Sequence, residues 1–403
     1  HNPFEYGGYK FNAADAGPAA APITERITAG ARALVEDQSQ SGLFDRHQAA
    51  DLLPASTDFR PIDALGDWLQ LVAANLGSHG LDLQRAVALF ETRQDLLVVV
   101  DCVHGASRLH IRRLFGESRN SRLVLLRDKA DVTFGGVAPE PSWANMQPML
   151  HSMRERTEKY QLGAIIDPDG DRIRFTDGHR EIGMNQFGAM AYHFLHEYKG
   201  KKGLVAKTVA TSNLANALAD AFGESLFEPA VGFKNFKSVI GQALVCFEES
   251  DGLTVIGHTP EKDAYIGLLL ALEMIEVSGL TLGEYLDRIE KEYGPFYSAR
   301  DGIAVAVQGE ILEERLSSLK KYQKGMRVAV GGEEQQIAEV IDIDGIKMVF
   351  ADGSWLMIRP SGTEPKVRFY VESRTRAGTD DLVAAARRML AEAGVLQGVG
   401  KGD

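Results

Sequence analysis

The hydrophobic residues of this chain follow two rhythms. In the first, unbroken apolar runs give way to a loop and then to apolar positions three and four apart, as in buried strands feeding helices. "LLVVVDCVHGASRLHIRRLFG" (96–116) predicts strand, loop and helix, and "KGLVAKTVATSNLANALADAFG" (202–223) repeats that form. "LGAII" and "RIRFTDG" predict two strands, the second ending in an Asp177–Gly178 turn, and "GQALVCFEESDGLTV" predicts another strand and loop. Helices are predicted over "RITAGARALVEDQ", "LGDWLQLVAANLG" and "AYIGLLLALEMIEVSG", the last closed by Gly279.

The second rhythm starts around "EKEYGPFYSARDG". Short alternating strands are predicted at "IAVAV", "QQIAEVIDI", "GIKMVFA", "SWLMIR" and "KVRFYVES". Asp344–Gly345 and Asp352–Gly353 supply hairpin turns, and "DDLVAAARRMLAEAG" is a closing helix. The expected order is a series of α/β units, then an antiparallel α+β module.

Length and composition set bounds on this picture. With 403 residues the chain can hold two to four domains. Hydrophobic content of 44% and charged content of 25% are those of a globular protein. A net charge of -12 argues against broad nucleic-acid binding, yet leaves room for a local basic pocket that takes a phosphorylated substrate. Cys102 and Cys246 lie far apart without metal-ligand spacing, which points to a reduced, cytosolic setting. No apolar run is long enough to span a bilayer, and no secretory signal is seen.

Chemistry concentrates in three places. "DPDGDR" puts Asp167, Asp169 and Asp171 in a loop between two strands, with Gly170 allowing their carboxylates to converge. Hard oxygen ligands suit Mg²⁺, Mn²⁺ or Ca²⁺. The EF-hand template fails, because Arg172 occupies its glycine position and Gly178 its bidentate glutamate position. Three protein oxygens leave such a cation short of ligands, so a phosphate could complete the shell beside Arg172. The plainer alternative is a solvated acidic turn paired with Arg172.

"RPSGTEPKVRFYVES" gathers Arg359, Ser361, Gly362, Thr363, Lys366 and Arg368, a set able to hold a phosphate monoester; an ordinary hairpin turn explains Pro360–Gly362 equally well. The stretch lacks the spacing of a nucleotide P-loop, and no GxGxxG follows a strand. "FEESDGLTVIGHTPEKDA" offers Glu248, Glu249 and Ser250 for sugar hydroxyls, and His258, Lys262 and Asp263 to move protons or hold an anion. It also reads as an acidic loop leading to a helix whose first turn holds Pro260 and Glu261.

These three stretches, in this order, resemble the α-D-phosphohexomutase superfamily over the whole chain. "DPDGDR" matches its magnesium loop, "RPSGTEP" its phosphate loop, and "FEES" with "GHTPEKDA" its sugar loop. "HNPFEYGGYKF" is similar to the residues that come after the phosphorylated serine in the signature "TASHNP", so the resemblance puts that serine immediately before His1. It implies an α/β multi-domain architecture around a central cleft. Three α/β sandwich domains, the first only partly present, precede an antiparallel α+β domain, with expected bounds of 1–65, 66–183, 184–297 and 298–403. The segment Ser39–Asp63 is longer than the family core needs.

By resemblance, one Mg²⁺ per active site sits on Asp167, Asp169 and Asp171 beside Arg172. Lys10, Arg172, Lys262 and His258 take catalytic roles. Lys234, Glu248, Ser250, Arg359, Ser361, Gly362, Thr363 and Arg368 bind the substrate. The implied enzyme is a cytoplasmic intramolecular phosphotransferase, a monomer or homodimer without nucleic-acid or membrane partners. It acts on a hexose phosphate, with glucose 1,6-bisphosphate as intermediate and activator. Phe247, Asp251 and Ala264 depart from the family's pattern in the sugar loop. The Glu-Glu-Ser triple, "GFK" and "HTPEKD" favour phosphoglucomutase over phosphomannomutase. Two other readings are a fragment that only binds hexose phosphates and a metal-dependent phosphatase.

Overall fold

The computed structural model describes residues 7–37, 60–305, 309–361 and 366–396. His1–Tyr6, most of the Ser39–Asp63 segment, Gly362 and Thr363 lie outside the described residues.

The first sheet is built from β1 (Leu96–Asp101), β2 (Leu123–Leu126), β3 (Tyr160–Ile166), β4 (Ile173–Thr176) and β5 (Glu181–Ile182), in the order β2-β1-β3-β4-β5. β1 runs parallel to both β2 and β3, and β4 turns back antiparallel on β3. All six residues of β1, "LLVVVD", are buried, as expected of a parallel strand covered on both faces. A second sheet contains β6 (Val205–Lys207), β7 (Leu226–Phe227), β8 (Val245–Glu248) and β9 (Gly252–Val255), ordered β7-β6-β8-β9. It repeats the plan: parallel strands, then a final antiparallel hairpin. One continuous core, from Leu65 to Phe296, joins both sheets and their helices.

The third sheet is antiparallel throughout: β10 (Tyr297–Ala304), β11 (Arg327–Val330), β12 (Glu333–Ile341), β13 (Ile346–Phe350), β14 (Trp355–Pro360) and β15 (Lys366–Ser373). Its order is β10-β15-β14-β13-β12-β11, with the helix Arg376–Glu392 packed on it around a core of its own. Asp344–Gly345 and Asp352–Gly353 make the turns of β12–β13 and β13–β14. The strand expected at "IAVAV" instead starts at Tyr297, because β15 offers it an eight-residue ladder from Ser373 back to Lys366. Trp355, Met357 and Tyr370 of this sheet pack on Val209 and Ala210 after β6. Lys347 crosses the same boundary, its Nζ donating to Val209 O at 2.7 Å and to Glu228 Oε1 at 3.1 Å.

The helix expected over 26–38 runs from Ala21 to Glu36, with Pro22 in its first turn, and buries none of its residues among those described. The helix after the sugar-type loop starts at Ala264, so Pro260 and Glu261 precede it. Asp263 caps it, accepting from Tyr265 N at 2.6 Å and Ile266 N at 3.2 Å. Gly279 closes it in the left-handed conformation, as the sequence predicts. Among the described residues no single helix is long and apolar enough to cross a membrane.

Candidate active site

The shared plan of the first two sheets places their hairpin loops against each other. The β3–β4 loop carries the three aspartates, and the β8–β9 loop carries Glu249, Ser250 and Asp251. Ile173 N donates to Asp251 O at 2.8 Å, and Ala264 N to Gly170 O at 3.0 Å, so the acidic loop is stitched backbone to backbone to the β8–β9 loop and to the start of the helix after β9.

Within the acidic loop, Asp167 organises the turn. Its Oδ1 accepts from the backbone N–H groups of Asp171 and Arg172, both at 3.0 Å, while Gly170 takes a φ of 77°. One ligand atom from each of Asp167, Asp169 and Asp171 falls within 4.8 Å of the others. Asp167 Oδ2 and Asp171 Oδ1 are buried and take no hydrogen bond among the described residues. Burial, then the charges of Asp171 and Asp169, push the Asp167 carboxyl above the usual carboxylate range. Desolvated, crowded oxygens without a hydrogen bond are what a small hard cation satisfies, and the donor set fits Mg²⁺.

Cations already gather there. Lys10 Nζ lies 2.6 Å from both Asp169 Oδ2 and Asp171 Oδ2, and Lys262 Nζ lies 3.3 Å from Asp171 Oδ2. Arg172 Nε sits 3.6 Å from Asp171 Oδ1 and 3.9 Å from Asp167 Oδ2. Burial opposes the charge of Asp171, but Lys262, Lys10 and Arg172 outweigh it and hold its carboxyl below the usual range. Burial likewise opposes the charges of Lys10 and Lys262, yet the surrounding carboxylates hold both ammonium groups above their ordinary range.

Lys262 joins the acidic loop to the sugar-type loop, its Nζ reaching Glu248 Oε1 at 3.4 Å; Ser250 Oγ donates to that same oxygen at 2.8 Å. The stem of Lys262 lies where a side chain on Gly252 would stand, so that glycine is required by space. Asp251 adopts a φ of 73°, and its carboxylate is held by Arg174 at 2.6 Å. Phe247 is fully buried and fills the place of a side chain on Gly188, whose Cβ would fall 2.1 Å from its ring. Two departures of the loop thus have partners elsewhere in the chain.

Other expected residues lie apart from this cluster. Glu249 is turned inward, accepting from Thr208 Oγ1 at 2.9 Å and Thr211 Oγ1 at 3.3 Å; burial, then Glu248, raises its carboxyl. His258 is buried with Nε2 on Asp263 Oδ2 at 2.6 Å and its ring edge-on to Trp68, which also hydrogen-bonds Asp263. It braces the cap of the following helix. Lys234 is exposed and lines a cavity of about 260 Å³ with Asp15, Phe233 and Pro260. Arg359 and Arg368 face each other across β14 and β15; Arg359 Nε donates to Asp344 Oδ1 at 3.0 Å and Ser361 N to Lys366 O at 2.8 Å. Asp344 Oδ2 in turn accepts from Val231 N at 2.9 Å, tying this hairpin to the segment bearing Lys234.

Three family models match the chain. Phosphoglucomutase/phosphomannomutase α/β/α domain II matches residues 82–181, α/β/α domain III residues 184–293, and the C-terminal domain residues 312–389. A phosphoglucomutase/phosphomannomutase of Thermococcus kodakarensis is 23% identical over 98% of this chain and 77% of its own. The cytoplasmic phosphoglucomutase of Solanum tuberosum is 26% identical over 92% of this chain and 71% of its own. Among solved structures, the open form of parafusin, a phosphoglucomutase from Paramecium, superposes with a TM-score of 0.65. The superposition covers 83% of this chain and 63% of that one, at 21% identity, and shows the shared fold.

Proposed function

The chain belongs to the phosphoglucomutase/phosphomannomutase family, a family of phosphohexomutase isomerases, and from that premise we propose that it interconverts glucose 1-phosphate and glucose 6-phosphate in the cytoplasm. The observation that carries this reading is the chain of contacts from Asp171 through Lys262 to Glu248 and Ser250, which sets a hydroxyl-binding loop against a cation-binding one. Asp167, Asp169 and Asp171 would hold Mg²⁺, which when bound polarises the phosphoryl group in transfer. The nucleophile in this proposal is the serine that the resemblance places next to His1, and glucose 1,6-bisphosphate is the intermediate.

The chain's own groups supply position and charge, the main demands of phosphoryl transfer. Glu248 and Ser250 orient the sugar hydroxyls. Arg359 and Arg368, with Ser361, Gly362 and Thr363, take the phosphate that is not reacting. As the sugar oxygen forms its bond to phosphorus, the bond from phosphorus to the serine oxygen breaks. In the first transfer the proton of the attacking sugar hydroxyl passes to Glu248, and Lys10, held as an ammonium group, protonates the serine oxygen that leaves. In the return transfer the serine hydroxyl gives its proton back to Lys10, and Lys262 protonates the sugar oxygen that leaves and is recharged from Glu248, while Arg172 offsets phosphate charge.

The preference for glucose is inferred from the sequence pattern Glu248-Glu249-Ser250, Gly232-Phe233-Lys234 and His258 to Asp263, and not from the placement of each residue. Turnover of the full-length protein on glucose 1-phosphate and mannose 1-phosphate, with Mg²⁺ and a trace of glucose 1,6-bisphosphate, tests it. A higher kcat/KM for glucose 1-phosphate is expected. A marked preference for mannose 1-phosphate would make the protein a phosphomannomutase.

A further inference from the structure

We infer that Gly105, in the loop that ends β1, is a positioning residue for the acidic loop: its lack of a side chain lets the β1 loop seat directly on Pro168, between Asp167 and Asp169. The inference rests on the reading that this acidic loop holds a divalent cation. A Cβ at Gly105 would lie 2.3 Å from Pro168 Cα, 2.8 Å from its carbonyl oxygen and 2.9 Å from its carbonyl carbon. All three are backbone atoms, so no rotamer change relieves the contact. Gly105 itself is in extended backbone, with φ -80° and ψ -168°, so the requirement is space and not conformation. The neighbouring Ala106 N donates to Pro168 O at 2.8 Å, fastening the two loops at the same point.

The surface under Pro168 is held rigidly from below. Gly105 N donates to Cys102 O at 2.7 Å and His104 N to Arg127 O at 2.9 Å. Val103 N donates to Asp101 Oδ1 at 3.0 Å, and Arg127 grips both oxygens of that buried carboxylate at 2.8 and 2.7 Å. Val103, His104 and Arg127 have φ of 42°, 59° and 44°, a left-handed backbone that non-glycine residues keep only where surrounding contacts impose it. On its far side the acidic loop is pinned by Ala264 N on Gly170 O. Asp167 Oδ2, buried with no hydrogen bond among the described residues and with Arg172 Nε 3.9 Å away, is aimed by the backbone N–H groups that hold Oδ1. A shift of Pro168 moves it directly, and ligand sites tolerate only about 0.5 Å of such error.

The test is a calorimetric titration of Mn²⁺ into the full-length wild type, Gly105→Ala and Ala106→Pro, with the unfolding midpoint of each measured free of metal. Ala106 opens a short 3₁₀ turn that accepts proline's φ, so Ala106→Pro removes the bond to Pro168 O and sets the ring Cδ against it, displacing Pro168 with no side chain added at 105. It decides the matter should Gly105→Ala not fold. The expected result is a Kd for Mn²⁺ raised at least about tenfold in each folded variant. Folded variants binding Mn²⁺ within about twofold of wild type would overturn the inference. A merely structural role would lower the metal-free midpoint and leave the affinity of the folded protein unchanged. Wild-type protein that takes up no Mn²⁺ would instead overturn the metal reading beneath it.

Discussion

Asp167 spends one oxygen on the turn and leaves the other buried without a hydrogen bond, so its worth to the protein lies in what that second oxygen holds. Asp167→Asn keeps the shape and removes the charge. Mn²⁺ affinity is expected to fall more than about 100-fold, beyond the 10–100-fold loss typical of a residue that only supports a ligand. An unchanged affinity would remove Asp167 from the ligand set. Lys262 is the other decisive residue. Lys262→Met keeps the stem that lies over Gly252, and kcat is expected to fall by about 10²–10⁴ as the acid is lost, with KM little changed. A rise confined to KM would make Lys262 a binding group. The residue types of both loops were legible in the sequence, because each set of ligands is local. Their orientations were not: Glu249 and His258 read as cleft residues, but Thr208, Thr211, Trp68 and Asp263, most of them distant in sequence, hold them elsewhere.

At the scale of elements, the buried histidines of the helical layers set the acid stability. His79 Nδ1 accepts from Leu81 N at 3.0 Å, and His193 Nδ1 is 2.8 Å from Tyr285 Oη. Burial lowers both from the ordinary 6.5 to about 4. The folded state therefore binds these protons less readily than the unfolded state. The stability linked to them is complete above about pH 6.5 and is lost as pH falls toward 4. The unfolding midpoint of His79→Gln/His193→Gln is expected to depend less on pH than that of wild type across this window. Parallel profiles would show that neither imidazole is kept neutral by the fold. Elements with strong local signals were legible: the apolar run Leu96–Val100 of β1, the acidic turn between β3 and β4, and the Asp-Gly hairpins. β11 was not, being a four-residue edge strand that ends against Gly331 and Gly332. The repeated hairpin plan of the first two sheets was hidden as well, since β4 and β9 share a topology and not a sequence.

For the whole molecule, the question is how the C-terminal sheet is held against the rest. Trp355 is fully buried against Val209 and Ala210, and its Nε1 donates to Glu372 Oε1 at 3.0 Å. Lys347 lies over its ring at 4.3 Å. Trp355→Ala is expected to cost about 3–5 kcal/mol in urea unfolding and to raise KM, because the hairpin proposed to take the phosphate is carried by the same sheet. A normal KM would separate that docking from substrate binding. This contact could not be read from the sequence, since nothing in "SWLMIR" distinguishes a residue facing its own core from one facing another domain.

In the proposed function the cleft moves a phosphoryl group between two hydroxyls of one sugar and keeps water from it. A ³¹P NMR time course of glucose 1-phosphate with the full-length protein, Mg²⁺ and catalytic glucose 1,6-bisphosphate measures this directly. The C1 ester resonance is expected to give way to the C6 ester without inorganic phosphate, and to stay unchanged when EDTA is present from the start. A C1 ester that persists despite Mg²⁺, or a steadily growing inorganic phosphate signal, would contradict it.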